Sequence, residues 1–309
     1  MLAVSGGIDS MALLHAAVGG PGRSRFLVAT LDHNTGLHSA RAVGAVRRRC
    51  AELGVRCVTA RATKPAARES DWREERWRFL RGAADSFGGA VVTAHTLDDQ
   101  IETVFMRILR DAGPRGIAGM FAESDVIRPL LGLRRADIRA YVDQNRIQFV
   151  DDPTNVSRAH LRNRVRHDLL PSIERLRPSF AGDLLSISRS AAHWRSTVDE
   201  LADEIATEAR PDGSLLIARA ALAGYDAESL RALWPALVAK AKVFMDRRGT
   251  HRLAEFTIMG QAGGSIQLSG GIEVRMFRDY LLVQRWDWRR VEAARGARER
   301  TSASGGFHL

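Results

Sequence analysis

The chain has 309 residues, a formal charge of +10 and two cysteines, which is long enough for two modest domains with cores of their own. Two cysteines exclude a disulfide framework. The sequence contains no run of about 18 apolar residues, so it predicts no membrane span. Arginine supplies nearly all of the positive charge, so the places where arginines cluster are more informative than the total. The chain opens directly on a strand-like run with no signal peptide, which predicts a cytoplasmic protein.

The first half of the chain alternates between strand-like and helix-like segments after a short apolar run at 2–4. The strand-like segments are 26–33, 55–61 and 90–95, and the helix-like segments are 10–18, 39–53, 71–87 and 97–110. This alternation predicts an α/β fold with a doubly wound parallel sheet, in which ligands bind at the carboxyl ends of the strands. Those ends carry SGGIDS (5–10), LDHN (31–34) and AHTLDD (94–99), so the polar chemistry is expected at one edge.

The second half changes character after the turn signal DDPTN at 151–155. Residues 175–210 resemble one or two long helices, and 265–285 alternate apolar and polar residues around a second SGG triplet, which predicts a β-hairpin. We therefore expect a nucleotide-binding domain at 1–172, a helical linker at 173–210, a smaller α+β domain at 211–286 and a disordered polar tail at 287–309.

The stretch SGGIDS resembles a phosphate-binding loop that lacks the usual lysine. Its two glycines, Gly6 and Gly7, let the backbone approach a phosphate and take unusual φ angles. The loop opens a helix whose free N–H groups favour an anion. Ser5 and Ser10 can donate hydrogen bonds, whereas Asp9 can reach a phosphate favourably only through Mg²⁺. Taken alone, so short a motif could also be a simple helix-capping turn.

In its wider context the loop resembles the PP-loop of N-type ATP pyrophosphatases, whose pattern is SGGxDS after the first strand. That loop grips the pyrophosphate released when ATP is cleaved between its α- and β-phosphates, so no lysine is needed on the γ-phosphate. Further blocks resemble the tRNA(Ile)-lysidine synthase family: AHTLDDQIETVFMRILRDAGPRGIAGM (94–120), VDDPTNVSRAHLRNRVRHDLLP (150–171), WREERWRFL (72–80) and the SIQLSGGIEV hairpin. The resemblance runs from about residue 2 to residue 285.

This resemblance implies a reaction with ATP and Mg²⁺ as cofactors. The 2-oxygen of the wobble cytidine, C34, of a tRNA(Ile) with a CAU anticodon is adenylated and pyrophosphate is released. The ε-amine of free L-lysine then displaces AMP, and the product is lysidine. The partners implied are therefore this tRNA and lysine, with no membrane.

The resemblance also implies roles for individual residues. ATP-binding roles fall to Ser5, Gly6, Gly7, Ile8, Asp9, Ser10, Asp32 and His95. Catalytic roles fall to Asp99, Glu102, Arg162 and Arg166. Contacts with tRNA fall to Arg73, Arg76, Arg158 and Arg164. Asp9 and Asp99 are the candidate Mg²⁺ ligands.

Structural explanations stay open beside these roles. Acids at a helix N-terminus interact favourably with the helix dipole, a basic helix face can simply be solvated, and Glu69, Glu74 and Glu75 could pair with the arginines of their own helix. His95 could be a packing residue. The loop after Asp32 reads DHNTGLH where the family has DHGLR, so its role is open.

Three other functions agree less well with the sequence. A tRNA-cytidine thiolase needs clustered cysteines, and an ammonia-using GMP- or NAD-synthetase relative would lack the RNR-R block. A non-catalytic RNA-binding protein on the same fold is disfavoured by the intact loop and acid motif. Because Met1 falls inside the first predicted strand, we expect a misplaced start codon. We also expect a short form without a third domain, whose wider tRNA contacts could come from a second protomer of a homodimer.

Overall fold

The computed structural model describes residues 1–20, 26–62, 69–151 and 157–286, with residues 69 and 70 described by their backbone alone. The predicted tail at 287–309 and residues 152–155 of the predicted turn lie outside these ranges. The chain divides into two compact units, Met1–Ala192 and His193–Leu309. No helix in the described ranges is both long enough and apolar enough to cross a membrane.

The first unit is built on a parallel sheet, as the alternation of segments predicts. Its five strands follow the order β3-β2-β1-β4-β5, and every neighbouring pair is parallel. The strands are β1 (Leu2–Ala3), β2 (Leu27–Asp32), β3 (Arg56–Arg61), β4 (Val91–Val92) and β5 (Val126–Ile127).

Nine helices of the described chain begin within this unit. They are α1 (Ile8–Gly19), α2 (Leu37–Leu53), α3 (Glu69–Phe87), α4 (Leu97–Ile108), α5 (Pro114–Ile117), α6 (Arg135–Gln144), α7 (Leu161–Arg164), α8 (Leu170–Leu176) and α9 (Phe180–Glu204). Five π-helical residues, Val165–Leu169, join α7 to α8.

The sheet is covered on both faces, which gives two separate cores. On one face Leu2, Val28 and Val92 pack with residues of α1, α2 and α6. Leu27 and Val91, each one position before Val28 and Val92, point to the other face and pack with α3. We call the second face the α3 face. Successive strand residues point to opposite faces, so residues just beyond each strand can be assigned to a face in the same way.

Two strands are shorter than the sequence predicts. β1 and β4 have two residues each, against predicted strand-like segments of three residues (2–4) and six residues (90–95). Pairing continues through single backbone hydrogen bonds, Val4 N to Ala29 O at 3.0 Å and Thr93 N to Ile127 O at 2.9 Å. After each of these two strands the backbone turns into the N-terminus of a helix, and this turn ends the regular pattern of strand pairing.

The second unit contains an antiparallel sheet of order β6-β7-β10-β9-β8. Its strands are β6 (Thr207–Ala209), β7 (Leu215–Ala218), β8 (Ser265–Leu268), β9 (Ile272–Met276) and β10 (Tyr280–Arg285), and its helices are α10 (Ala227–Ala239) and α11 (Arg247–Met259). The predicted turn at the second SGG triplet is confirmed, because Gly270 and Gly271 have φ angles of +79° and +70°. The segment predicted as a helical linker ends in β6, and the proposed domain bounds stay a prediction.

Candidate active site

The loop at residues 5–10 joins β1 to α1 and depends on Gly6. Its φ angle is +90°, and a Cβ atom placed there would lie 3.0 Å from the carbonyl oxygen of Ala42 in α2. Gly7 has an ordinary φ of −76°, so the expectation of an unusual angle holds for Gly6 alone. The Ser10 hydroxyl donates to Gly7 O at 2.9 Å and lies 3.2 Å from the Ser5 hydroxyl. Only Gly fits at residue 6, and the serines brace the loop from within.

The N-termini of α1 and α4 differ in what they leave free. No side chain caps the first N–H groups of α1, and such groups attract an anion. At α4, Thr96 and Asp99 form a capping box, with Asp99 N donating to Thr96 Oγ1 and Thr96 N to Asp99 Oδ2 at 2.9 Å. Of these two helices, α1 is therefore the one whose N-terminus is suited to bind a phosphate.

Asp9 lies in the first turn of α1 with an unsatisfied oxygen. Its Oδ1 is buried and has no hydrogen-bond partner in the part of the chain that the structure describes. Burial raises the pKa of the Asp9 carboxyl, and the charge of Arg135 opposes this rise. A buried carboxylate oxygen without a donor fits a hard cation such as Mg²⁺, which usually takes one or two carboxylates together with phosphate oxygens and water.

Glu102 is the centre of a buried cluster of acids and arginines. It is 2% exposed, and its carboxylate accepts hydrogen bonds from three guanidinium groups. Arg166 binds it through two nitrogens, at 2.6 and 2.9 Å, Arg162 Nε lies at 2.8 Å and Arg135 Nη1 at 3.3 Å. A two-nitrogen pairing of this kind is the strong form of an arginine–carboxylate contact.

Asp99 belongs to the same cluster, as expected for residues three apart on one helix face. Its Oδ1 lies 3.0 Å from Arg162 Nη2 and 3.3 Å from Arg135 Nη2. Its Oδ2 is held by the backbone and hydroxyl of Thr96. Both oxygens of Asp99 are thus engaged, so binding Mg²⁺ through Asp99 would require an arginine to move or an oxygen to be shared.

The cluster keeps its acids ionised. Burial raises the pKa of both carboxyls, but the charges and hydrogen bonds of the arginines outweigh burial and hold the pKa of Asp99 and Glu102 below their ordinary values. Burial would lower the pKa of the Arg166 guanidinium, yet its contacts with Glu102 raise it. These carboxylates are therefore weak bases and strong ligands for cations.

Two members of this site escaped the sequence analysis. Arg135, at the start of α6, bridges Asp99 and Glu102, and its backbone N–H donates to Asp98 Oδ2 at 2.6 Å. Arg134 pairs with Asp98 Oδ1 at 3.2 Å. In the sequence these two residues are visible as a pair of arginines at the start of the helix that follows β5. Only the fold shows which acids they contact.

The arginines at 158–166 separate into two groups. Arg162 and Arg166 point to the acids, whereas Arg158 pairs with Asp168 at 3.0 Å on the surface and Arg164 is exposed. The chain between α7 and α8 is π-helical, a form that often marks functional sites. This segment thus presents two arginines to the acid cluster and two to solvent.

Asp32 ends β2 and His95 lies three residues beyond the end of β4, the two strands on either side of β1. The Asp32 carboxylate accepts from the Ser39 hydroxyl at 2.6 Å and from Asn34 N at 2.9 Å. Burial would raise the pKa of this carboxyl, but these two hydrogen bonds lower it. His95 Nδ1 lies 2.8 Å from Thr93 Oγ1, and burial lowers the pKa of His95 to about 4. His95 is therefore neutral at pH 7.

The arginines of α3 also lie near this edge. Arg76 is half-buried, and burial together with the charges of Arg73 and Arg162 lowers its pKa. Arg73 lies over the ring of Trp77, 6.0 Å from its centroid. Glu74 pairs with Arg78 at 3.2 Å. Glu74 therefore pairs with a different arginine of its helix, and pairing of Arg73 or Arg76 with Glu75 stays open.

The chain matches known proteins over most of its length. A family model described as a PP-loop domain matches residues 1–173. A protein from Salinispora arenicola named tRNA(Ile)-lysidine synthase is 37% identical, and the match covers 70% of this chain and 69% of the relative. Relatives of the same name from Bradyrhizobium diazoefficiens and Burkholderia pseudomallei are 40% and 30% identical over 62% and 95% of this chain.

The chain spans 55% and 63% of the length of the last two relatives. Among solved structures, a U34-tRNA thiolase from Methanococcus maripaludis, determined with its [4Fe-4S] cluster, matches with a TM-score of 0.51 at 14% identity, covering 62% of this chain and 70% of that one. At this level of identity the likeness extends to the fold alone.

Proposed function

The chain belongs to the PP-loop proteins and, among them, to the tRNA(Ile)-lysidine synthase family, and from this membership we propose that it ligates free L-lysine to C2 of the wobble cytidine C34 of a tRNA(Ile) with a CAU anticodon. ATP is converted to AMP and pyrophosphate in the cytoplasm, and lysidine is formed through an adenylated tRNA.

One observation carries the proposal: the phosphate loop and the acid–arginine cluster share one edge of the sheet. The charges of Arg135, Asp99 and Arg166 all act on the carboxyl of Asp9, so the two sites are neighbours. A nucleotide bound at the loop would therefore have its reacting phosphate near the arginines and near the acids that can hold an amine.

In this reaction the loop at residues 5–10 binds the pyrophosphate portion of ATP with its free N–H groups. Asp32 and His95 lie at the strand ends where the rest of the nucleotide is expected. Asp9, and Asp99 once released, would hold Mg²⁺, which supplies charge neutralisation of the phosphates. The neutral imidazole of His95 can accept or donate one hydrogen bond without adding charge.

The arginines act in the first chemical step and the acids in the second. In the first step, Arg162 and Arg166 stabilise negative charge on the oxygens of the α-phosphate as the 2-oxygen of cytidine attacks the phosphorus and pyrophosphate leaves. In the second step, Asp99 and Glu102 bind the ε-ammonium of lysine in the place now held by guanidinium groups. Once this group has released one proton to solvent, the free amine attacks C2, the C2–O bond breaks and AMP leaves. Because the pKa of both carboxyls is low, we assign them to positioning the amine rather than to removing its proton.

Contacts with tRNA fall to arginines at the rim. Arg158 and Arg164 are exposed, and Arg73 is exposed on α3, so their side chains can reach phosphates. Arg76 lies deeper and is closer to the reacting nucleotide. The homodimer suggested by the sequence is also a prediction, which sedimentation equilibrium with and without tRNA would check.

The test is incubation of the protein with ATP, Mg²⁺, radiolabelled lysine and a tRNA(Ile) transcript with a CAU anticodon, against a transcript with U at position 34. Label retained on the C34 transcript alone, with release of AMP and pyrophosphate, is the expected result. Asp99→Asn should abolish labelling. Asp183→Asn, which removes an exposed pair with Arg177, should not.

Failure at each step has a separate meaning. Pyrophosphate release that depends on C34 without labelling would keep the adenylation and contradict lysine as the nucleophile. No label and no pyrophosphate from wild-type protein that binds the transcript would favour a non-catalytic tRNA-binding protein.

A further inference from the structure

The α3 face of the sheet carries a second group of polar residues at its carboxyl edge. His33 follows β2, and Trp72 and Arg76 project from α3. The ring centroids of His33 and Trp72 are 6.3 Å apart. Arg76 acts electrostatically on both His33 and His95, so these four side chains lie around one place. Neither His33 nor Trp72 has a role in the steps above.

This place holds an unusual number of unsatisfied polar atoms. His33 Nδ1 and Trp72 Nε1 are buried and have no hydrogen-bond partner within the described ranges, and the same is true of Nε of Arg128, whose charge acts on His95. They make up half of the six such side-chain atoms there. Folded proteins pair nearly all buried polar atoms, so each exception calls for an explanation. Three together beside the reaction site indicate groups that a substrate satisfies.

The chemical characters of the two rings define what they can bind. The indole N–H of Trp72 is a donor only. Burial lowers the pKa of His33, so its imidazole is neutral and offers one acceptor nitrogen. A donor next to an acceptor complements the edge of cytosine, where N3 accepts and the 4-amino group donates. Uracil has the reverse pattern, with a donor at N3 and an acceptor at position 4.

We propose that Trp72 and His33 read the base of the target nucleotide, Trp72 Nε1 donating to N3 of cytosine and His33 Nδ1 accepting from its 4-amino group. This inference rests on the proposed function and names the subsite for its second substrate. The 2-oxygen is left free to attack the nucleotide at the loop. Arg76 and Arg128 then face the phosphates of the same nucleotide. With uracil in this subsite, two donors would meet at N3 and the base would be rejected.

The experiment measures binding of short anticodon stem-loop RNAs by fluorescence anisotropy, without ATP or lysine. We expect wild-type protein to bind the C34 loop about a hundredfold more tightly than the U34 loop, the value of two well-placed hydrogen bonds at about tenfold each. Trp72→Phe keeps a ring but removes the donor, and should lose most of this preference, because the C34 loop loses a hydrogen bond and the U34 loop no longer meets a second donor at N3. Trp77→Phe, five residues along the same helix, should keep it.

A second arm changes the base and leaves Trp72 in place. A loop with pyrimidin-2-one at position 34 lacks the 4-amino group, and wild-type protein should bind it about tenfold more weakly than C34. His33→Ala should bind the two loops equally. This arm gives a result even if a tryptophan variant folds poorly.

The outcomes separate this inference from the reaction. A Trp72→Phe protein that keeps the full preference, or that loses affinity for both loops equally, overturns the base contact and leaves the ligase activity standing. Wild-type protein without preference for C34 also overturns it. Wild-type protein that prefers C34 but forms no lysidine contradicts the proposed function and leaves the base contact in place.

Discussion

Replacing Glu102 with glutamine would remove the negative charge that three guanidinium groups share. The structure gives this carboxylate four contacts with Arg135, Arg162 and Arg166 between 2.6 and 3.3 Å, at 2% exposure. Glutamine keeps one acceptor oxygen, so about half of these contacts are lost. At about 1.5–3 kcal/mol for each hydrogen bond to a charged group, the loss is about 3–6 kcal/mol.

This value agrees with the cost of breaking a buried ion pair by removing one partner, about 3–5 kcal/mol. For a unit of this size it corresponds to a fall in melting temperature of about 10 °C. Urea unfolding followed by circular dichroism at pH 7 would measure it. The matched control is Asp168→Asn, which breaks an exposed pair from the same segment (Arg158 and Asp168 are 51% and 47% exposed) and should cost less than about 1 kcal/mol.

A double-mutant cycle with Arg166→Met locates the effect. If the paired geometry is responsible, the two substitutions together should cost at least about 1.5 kcal/mol less than the sum of the single ones. The reasoning would be refuted by a Glu102→Gln protein within about 1 kcal/mol of wild type, or by costs that simply add. Either result would mean that the cluster contributes no net stability.

Three further changes test the rest of the site. The pKa of His95 is about 4 in the folded protein, against 6.5 for an ordinary histidine such as that of the unfolded chain. As the pH falls, His95 is therefore protonated first in the unfolded chain, and the free energy of unfolding should fall by up to about 3 kcal/mol from pH 6.5 to 4. The urea midpoint of His95→Gln should therefore fall less than that of wild type over this pH range. Gly6→Ala should cost about 1–3 kcal/mol, since φ is +90° and the added Cβ meets Ala42, whereas Gly7→Ala should cost less than about 0.5 kcal/mol in thermal unfolding. Asp9→Asn should leave stability unchanged or raised, because it removes a buried charge, while lowering the rate of pyrophosphate release about 100-fold.

Each of these has a clear contrary result. An imidazole signal of His95 that titrates near 6.5 by NMR would contradict its burial as the cause. Equal costs at Gly6 and Gly7 would show that the contact with α2 is not limiting. An Asp9→Asn protein with unchanged Mg²⁺ dependence would remove Asp9 from the candidate metal ligands.

Most of the first unit could be predicted from local sequence patterns. Alternating segments predict the parallel sheet and the helices on both faces. In the second unit, the period of two and the Gly-Gly turn predict the hairpin of β8 and β9, but not that the rest of 265–285 forms a third strand, β10. The loop at residues 5–10, with Gly6 at a positive φ, could be located in the same way. These features depend on residues close together in the chain, where spacing determines geometry.

The composition of the site depended on tertiary structure. Arg135 meets Glu102 and Asp99 across 33 and 36 residues, and no spacing rule connects residues on different helices. The capping box that occupies one oxygen of Asp99 and the contact of His33 with Trp72 are likewise visible only in the fold. The amino-acid sequence determined which charged side chains are available at each strand end. The strand order and helix packing decided which of them meet, because the contacts join elements that are far apart in the chain. Burial at that edge, together with the charges and hydrogen bonds brought there, decided how the pKa of each group shifts.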